Sequence, residues 1–206
     1  MKVILVNGSP HERGCTYTAL REAADELERQ GAEAEILHVG REAIGGCVAC
    51  YQCGQKGACV FDDAVNRLAD RLSTADGVIL GCPVYYAGVP GQFKSLLDRL
   101  FMSAGKRLRN KPAAAVVSAR RGGCASAFDD LNKYFMINSM PVVSSQYWNQ
   151  VHGSKPEDVL RDEEGMQTMR TLARNMAWLL SCIECGRLNG IEPPVAEPPV
   201  RTSFIR

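Results

Sequence analysis

Four cysteines fall within thirteen residues of this chain. The run Cys47-Val48-Ala49-Cys50-Tyr51-Gln52-Cys53 is followed, after five residues, by Cys59, which reads C-x2-C-x2-C-x5-C. Four thiolates at that spacing can close around one inorganic centre. Iron–sulfur clusters are held by four cysteines, and C-x2-C-x2-C runs commonly supply three of them. Zinc sites also use four cysteines, but usually as two C-x2-C pairs separated by a longer insert. The overlapping triple therefore favours a cluster over zinc. A redox-active dithiol stays open, because C-x2-C motifs lower thiol pKa, and so does a loop of unliganded cysteines.

Three further segments carry groups that could hold a ligand. Asn7-Gly8-Ser9-Pro10 through Thr16 joins an apolar run to a helical pattern. Helix N-termini present unpaired N–H groups and bind phosphate, Ser9 and Thr16 add hydroxyls, and Gly8 and Gly14 permit close backbone approach. An ordinary strand–helix turn is the alternative. Neither G-x-x-x-x-G-K-[ST] nor G-x-G-x-x-G occurs here, which counts against an NTPase and a dinucleotide Rossmann site. Cys82-Pro83-Val84-Tyr85-Tyr86-Ala87-Gly88-Val89-Pro90 offers aromatic rings on a backbone held by two prolines, suited to a planar heterocycle. Ser118-Ala119-Arg120-Arg121-Gly122-Gly123-Cys124 brings Arg120, which could donate to a ring carbonyl or remain a solvated surface cation.

The elements that must position these loops alternate along the chain. The continuous apolar run at residues 3–6 reads as a parallel strand buried on both faces, 76–82 as another buried strand, and 33–39, 113–118 and 142–147 as the remaining strands. Helical spacing follows at Leu20, Ala23, Ala24 and Leu27, and at Val65, Leu68, Ala69 and Leu72 behind a capping Asp62-Asp63 pair. It recurs at Phe93, Leu96, Leu97, Leu100 and Phe101, at Phe128, Leu131 and Phe135, and at Met169, Leu172, Ala173, Met176, Leu180 and Ile183. This α/β alternation predicts a doubly wound, five-stranded parallel sheet of order 2-1-3-4-5 with helices on both faces. Its ligand crevice lies at the carboxyl ends of strands 1 and 3. Residues 1–185 form the expected domain, with 45–61 a cysteine-rich loop inserted after strand 2. The remainder, 186–206, holds Pro193, Pro194, Pro198 and Pro199 and cannot be regular helix or central strand. Its apolar end, Phe204-Ile205, suggests an arm packed on the body or on a partner subunit, with a disordered tail as the alternative.

Composition bounds the partners. The 206 residues carry 24 basic against 23 acidic side chains, which argues against charge-driven binding to nucleic acid or a membrane surface. No apolar run approaches the ~20 residues that span a bilayer. Met1-Lys2 leads straight into a strand without an h-region, so no signal peptide is expected. A cytoplasmic, reducing setting is then expected, where clustered cysteines serve metals or redox chemistry more often than disulfides. Among the other cysteines, Cys82 reads as packing. Cys182 and Cys185 share a helix face, Cys15 sits at a helix start that favours thiolate although its backbone N–H is the expected functional atom, and Cys124 lies near the proposed ligand edge. Asp98-Arg99 reads as a local charge pair. No G-x-S-x-G elbow is present, three histidines are too few and scattered for a metal cage, and no general acid or base stands out. That pattern suits a chemistry performed by a cofactor.

The chain resembles the flavodoxin-like NAD(P)H-dependent FMN reductases, and most of all their iron–sulfur flavoprotein branch. The resemblance rests on Gly8-Ser9-Pro10, the four-cysteine run, Val60-Phe61-Asp62-Asp63, Ala75-Asp76-Gly77, Pro83-Val84-Tyr85 with Pro90, Leu97-Asp98-Arg99, and Gly165-Met166-Gln167-Thr168. It implies FMN phosphate on Ser9, His11, Cys15 and Thr16. It also implies isoalloxazine contacts from Pro83, Val84, Tyr85 and Tyr86 and from Ser118, Arg120 and Gly123. The family usually has Arg or Lys where this chain has His11, which leaves Arg13 to supply the charge. Cys47, Cys50, Cys53 and Cys59 are implied to hold a [4Fe-4S] cluster. The implied function is FMN-dependent oxidoreduction. Electrons from NAD(P)H or a reduced carrier protein pass, by way of the cluster, to a small acceptor such as a quinone or flavin, in a homodimer or homotetramer. The alternatives are a non-catalytic flavodoxin-type carrier and an FMN reductase whose cysteine loop is cluster-free or binds zinc.

Overall fold

A computed structural model describes residues 1–204. The elements run β1 (Lys2–Asn7), α1 (Cys15–Arg29), β2 (Glu33–His38), α2 (Cys53–Lys56), α3 (Ala64–Ser73), β3 (Gly77–Pro83), α4 (Gly91–Leu108), β4 (Ala113–Ala119), α5 (Cys124–Ile137), β5 (Gln150–His152), α6 (Pro156–Val159) and α7 (Glu163–Leu188). All strand pairs are parallel, and the sheet order is β2-β1-β3-β4-β5, as the alternation of strands and helices predicts. β1, β3 and β4 are buried along nearly their whole length because helices cover both faces.

Alternate strand residues feed two cores. Ile4, Val6, Val78, Leu80 and Val117 pack under α3, α4 and α5. Val3, Leu5, Ile79, Ala114 and Val116 pack under α1 and α7. The expected apolar face of α3 is entirely buried, and Asp63 caps the helix by accepting from Val65 N at 3.0 Å. On α7, Met169, Leu172, Ala173, Met176 and Leu180 are buried, whereas Ile183 is half out of the core.

The fifth strand departs from expectation. Residues 142–147 do not form it. Pro141 and Val143 exchange single backbone bonds with Ala113, then the chain swings away and returns as the three-residue β5 beside residues 117–119. At the detour, Tyr147 and Trp148 pack edge-to-face with centroids 4.7 Å apart, and both stay about half exposed. The segment expected as the fifth strand is therefore a surface corner rather than a ladder. At the other end, Gly190 in the left-handed conformation stops α7, with Ile191 N donating to Gly186 O at 2.9 Å. Residues 191–204 then carry no helix or strand. Phe204 is exposed, and Ile205 lies outside the described residues.

Candidate functional site

The carboxyl edge of the sheet gathers the three ligand-type loops. Parallel register sets Asn7 beside Gly81 and Pro83 beside Ser118. Gly8 N donates to Gly81 O at 2.8 Å and Val84 N to Ser118 O at 2.9 Å, so each loop leaves its strand hydrogen-bonded to the next. Gly8 is required here: a Cβ would stand 2.5 Å from the ring of Phe93, which is wholly buried. Asn7, also buried, organises the first loop. Its side chain accepts from Ser9 N at 3.1 Å and donates to Glu12 O at 3.0 Å. Ser9 Oγ in turn accepts from His11 N at 3.1 Å, and His38 Nε2 lies 2.8 Å from Ser9 O.

α1 begins at Cys15 with Gly14 as N-cap, and no side chain caps its first turn. Its leading N–H groups are thus left for an anion. Thr16 and Ser118, both buried, meet hydroxyl to hydroxyl at 2.8 Å, which ties the first loop to the third. Cys15 Sγ donates to Gly153 O at 3.6 Å, and burial pushes its thiol up from the usual value, against the thiolate expected at a helix start. His11 and Arg13 line one shallow pocket with Arg41, Ser154 and Lys155. Arg41 and Lys155 are cations that the sequence reading missed, because both come from segments remote from the loop.

The second loop folds as a two-residue turn. Tyr85 and Gly88 exchange backbone bonds of 3.0 and 2.9 Å, with Tyr86 and Ala87 between them at φ 49° and 58°. Such turns favour Asn-Gly, so a Tyr-Ala pair stores strain of the kind that collects at ligand clamps. Tyr86 projects fully into solvent and Tyr85 is about half exposed, while Pro83 and Val84 are half-buried. Gly123 (φ 92°) of the third loop packs where a Cβ would lie 2.8 Å from Ala87 Cα and 2.9 Å from Val84 Cγ1. The second and third loops are therefore in contact, with Arg120 exposed beside them. Behind Gly123, burial raises the Cys124 thiol, and its sulfur lies 3.9 Å from His152 Nε2.

The cysteine loop forms a second centre. Cys47, Cys50, Cys53 and Cys59 line a single apolar pocket together with Phe61, Met102 and Arg99. Ala49 (φ 52°) and Tyr51 (φ 57°) take the left-handed conformation on either side of Cys50, which coils the run back on itself. Asn66 clamps Cys59 through both backbone atoms, accepting from its N at 2.9 Å and donating to its O at 3.0 Å. The donor set, the apolar walls and an arginine at one sulfur fit a thiolate-held cluster. Among the described residues, however, no three Cys, His, Asp or Glu side chains converge at ion-binding distance. Asp98 and Arg99 are not a pair, contrary to the sequence reading. Adjacent residues on a helix point about 100° apart. Asp98 meets Lys94 at 2.9 Å, whereas Arg99 turns inward to Asp63 and Cys59.

A five-stranded sheet of this order, with loops crowded at its switch point, defines a flavodoxin-like protein. An archaeal flavodoxin superposes over 88% of this chain and 99% of its own, at 15% identity and a TM-score of 0.60. Residues 1–154 match the NADPH-dependent FMN reductase family, and the chain belongs to it. Among its relatives, an iron–sulfur flavoprotein of Methanocaldococcus jannaschii is 34% identical over 89% of this chain and 100% of its own length. Another, from Methanosarcina thermophila, is 28% identical over 91% of this chain and 99% of its own. No helix among the described residues is long and apolar enough to cross a membrane.

Proposed function

We propose that this protein is a cytoplasmic, homo-oligomeric FMN-dependent oxidoreductase that takes electrons from NADPH and delivers them to a small acceptor or a carrier protein. FMN, when bound, supplies the chemistry that links two-electron hydride transfer to one-electron steps. The observation that carries this reading is the convergence of three loops on one sheet edge, with a four-cysteine pocket as a separate second centre.

Ser9, His11, Cys15 and Thr16 hold the phosphate in this reading. The contacts come from backbone N–H groups at the start of α1 and from the Ser9 and Thr16 hydroxyls. Arg13, Arg41 and Lys155 supplement His11 by raising the local positive potential. Pro83, Val84, Tyr85 and Tyr86 form one wall of the ring site, and Ser118, Arg120 and Gly123 form the other. The strained Tyr86–Ala87 turn presents backbone to the ring, and Gly123 lets the third loop approach the second closely. Cys47, Cys50, Cys53 and Cys59 are the ligands proposed for a [4Fe-4S] cluster.

Anaerobic purification followed by FMN, iron and acid-labile sulfide determination tests the reading. The expected result is one FMN and about four irons per chain, NADPH oxidation dependent on an added acceptor, and iron loss in Cys50→Ser. FMN without iron or sulfide would leave an FMN reductase with a cluster-free loop. Zinc in place of iron would make the loop a structural site.

A further inference from the structure

Arg99 is 2% exposed and shares α4 with Leu96, Leu97 and Leu100 of the apolar core, yet it does not pack as they do. Its guanidinium instead gathers the two ends of the cysteine loop. Nη1 donates to Gly45 O at 3.3 Å and to Asp63 Oδ2 at 2.7 Å. Nη2 donates to Asp63 Oδ1 at 2.9 Å and to Phe61 O at 3.4 Å. The group also lies 4.9 Å from the centre of the Phe61 ring. Asp63 responds to this setting: burial alone would raise its carboxyl, but the Arg99 fork and Val65 N hold it below the usual range.

The remaining donor, Nε, points at the Cys59 sulfur at 3.3 Å. A neutral thiol is a weak acceptor, whereas a thiolate accepts a charge-assisted bond well. A buried Arg–Asp pair kept for stability alone could be replaced as a pair by apolar residues at little cost. The use of the planar Arg99 fork to join Gly45, Phe61, Asp63 and a sulfur fits a residue that serves the cysteine centre.

We infer that Arg99 is the positioning residue of the four-cysteine site. It closes the loop before any metal arrives, and through its bond to Cys59 it favours the more negative, one-electron-reduced form of the centre. The inference rests on the cluster reading above. Reduction adds one electron, taken from the NADPH-reduced flavin or a reduced carrier protein, and no protein bond forms or breaks.

The test uses wild type, R99K, R99Q and D63N, all purified without oxygen and checked for native circular dichroism and FMN content. Hydrogen exchange across residues 45–61 of the metal-free proteins reads loop closure. EPR-monitored titration of the reconstituted proteins reads the midpoint potential. Exchange in R99Q and D63N is expected to be about tenfold faster than in wild type. R99K keeps a charge but cannot reproduce the fork, and is expected to retain iron while its reduction equilibrium weakens about tenfold. For one electron, a tenfold change is 59 mV more negative. The flavin potential stays unchanged. Wild-type loop exchange in R99Q together with a wild-type midpoint in R99K would overturn the inference. If wild type itself takes up no iron or sulfide, the cluster reading and the redox half of the inference both fail. The exchange rates then decide the loop-closing half on their own.

Discussion

Replacing Gly123 by alanine isolates the contact between the second and third ligand loops. The residue sits at φ 92°, where an L-residue pays about 1–2 kcal/mol. The new Cβ would also stand 2.8 Å from Ala87 Cα, a backbone atom of a tight turn that cannot rotate aside. Overpacking of that kind costs a further ~1–3 kcal/mol. The strain is relieved only by parting Gly123 from Val84 and Ala87, which widens the space between the proposed flavin walls. If ~2 kcal/mol of the total falls on the bound state, FMN affinity drops roughly thirtyfold. Gly122 is the matched control, because a Cβ there meets nothing within 4 Å. Titration of apoprotein with FMN, followed by flavin fluorescence quenching, measures both variants against wild type. A dissociation constant for G123A within threefold of that for G122A would refute the two-wall geometry.

Two other perturbations probe the scaffold. Phe93→Ala removes the buried ring against which Gly8 packs. The expected cost is about 3–5 kcal/mol in urea unfolding, with weaker FMN binding, and a loss below 1 kcal/mol would contradict the packing argument. Glu26, buried between α1 and α7, would be raised by burial but is held down to about 2 by Arg174, Arg29 and Gln30. A folded-state pKa below the unfolded value of 4.5 gives stability that is complete above that value and lost as the pH falls toward 2. The effect is on the order of 3 kcal/mol. Urea unfolding at pH 5 and pH 3 should show the acid loss in wild type and a smaller one in Glu26→Gln; equal losses in both would place the acid sensitivity elsewhere.

Alternation and period were enough to read the architecture. Buried parallel strands are apolar throughout, amphipathic helices repeat at 3.6, and the right-handed crossover rule leaves few ways to wind them. Residues 142–147 misled because a short strand-like start, Val142-Val143, does not specify its hydrogen-bond partners, and the polar Ser144-Ser145-Gln146 that follow leave the sheet. Tyr147 and Trp148 pack on each other at the surface. Asp63 as a helix cap was legible because capping is local, involving Val65 two residues away.

The sequence by itself was enough for the strand order, the loops that leave the carboxyl ends of β1, β3 and β4, and the clustering of four thiols, since these follow from local pattern and the rules of winding. What only the tertiary structure decided was which distant groups meet. Thr16 bonds Ser118, Gly123 packs on Ala87, Arg41 and Lys155 join the first loop's pocket, and Arg99 reaches Cys59 across forty residues. It also placed the Cys15 thiol where burial raises it, despite its position at a helix start. The reason is physical: spacing along a chain fixes local geometry, but burial and the partners it forces on a polar group are properties of packing between elements.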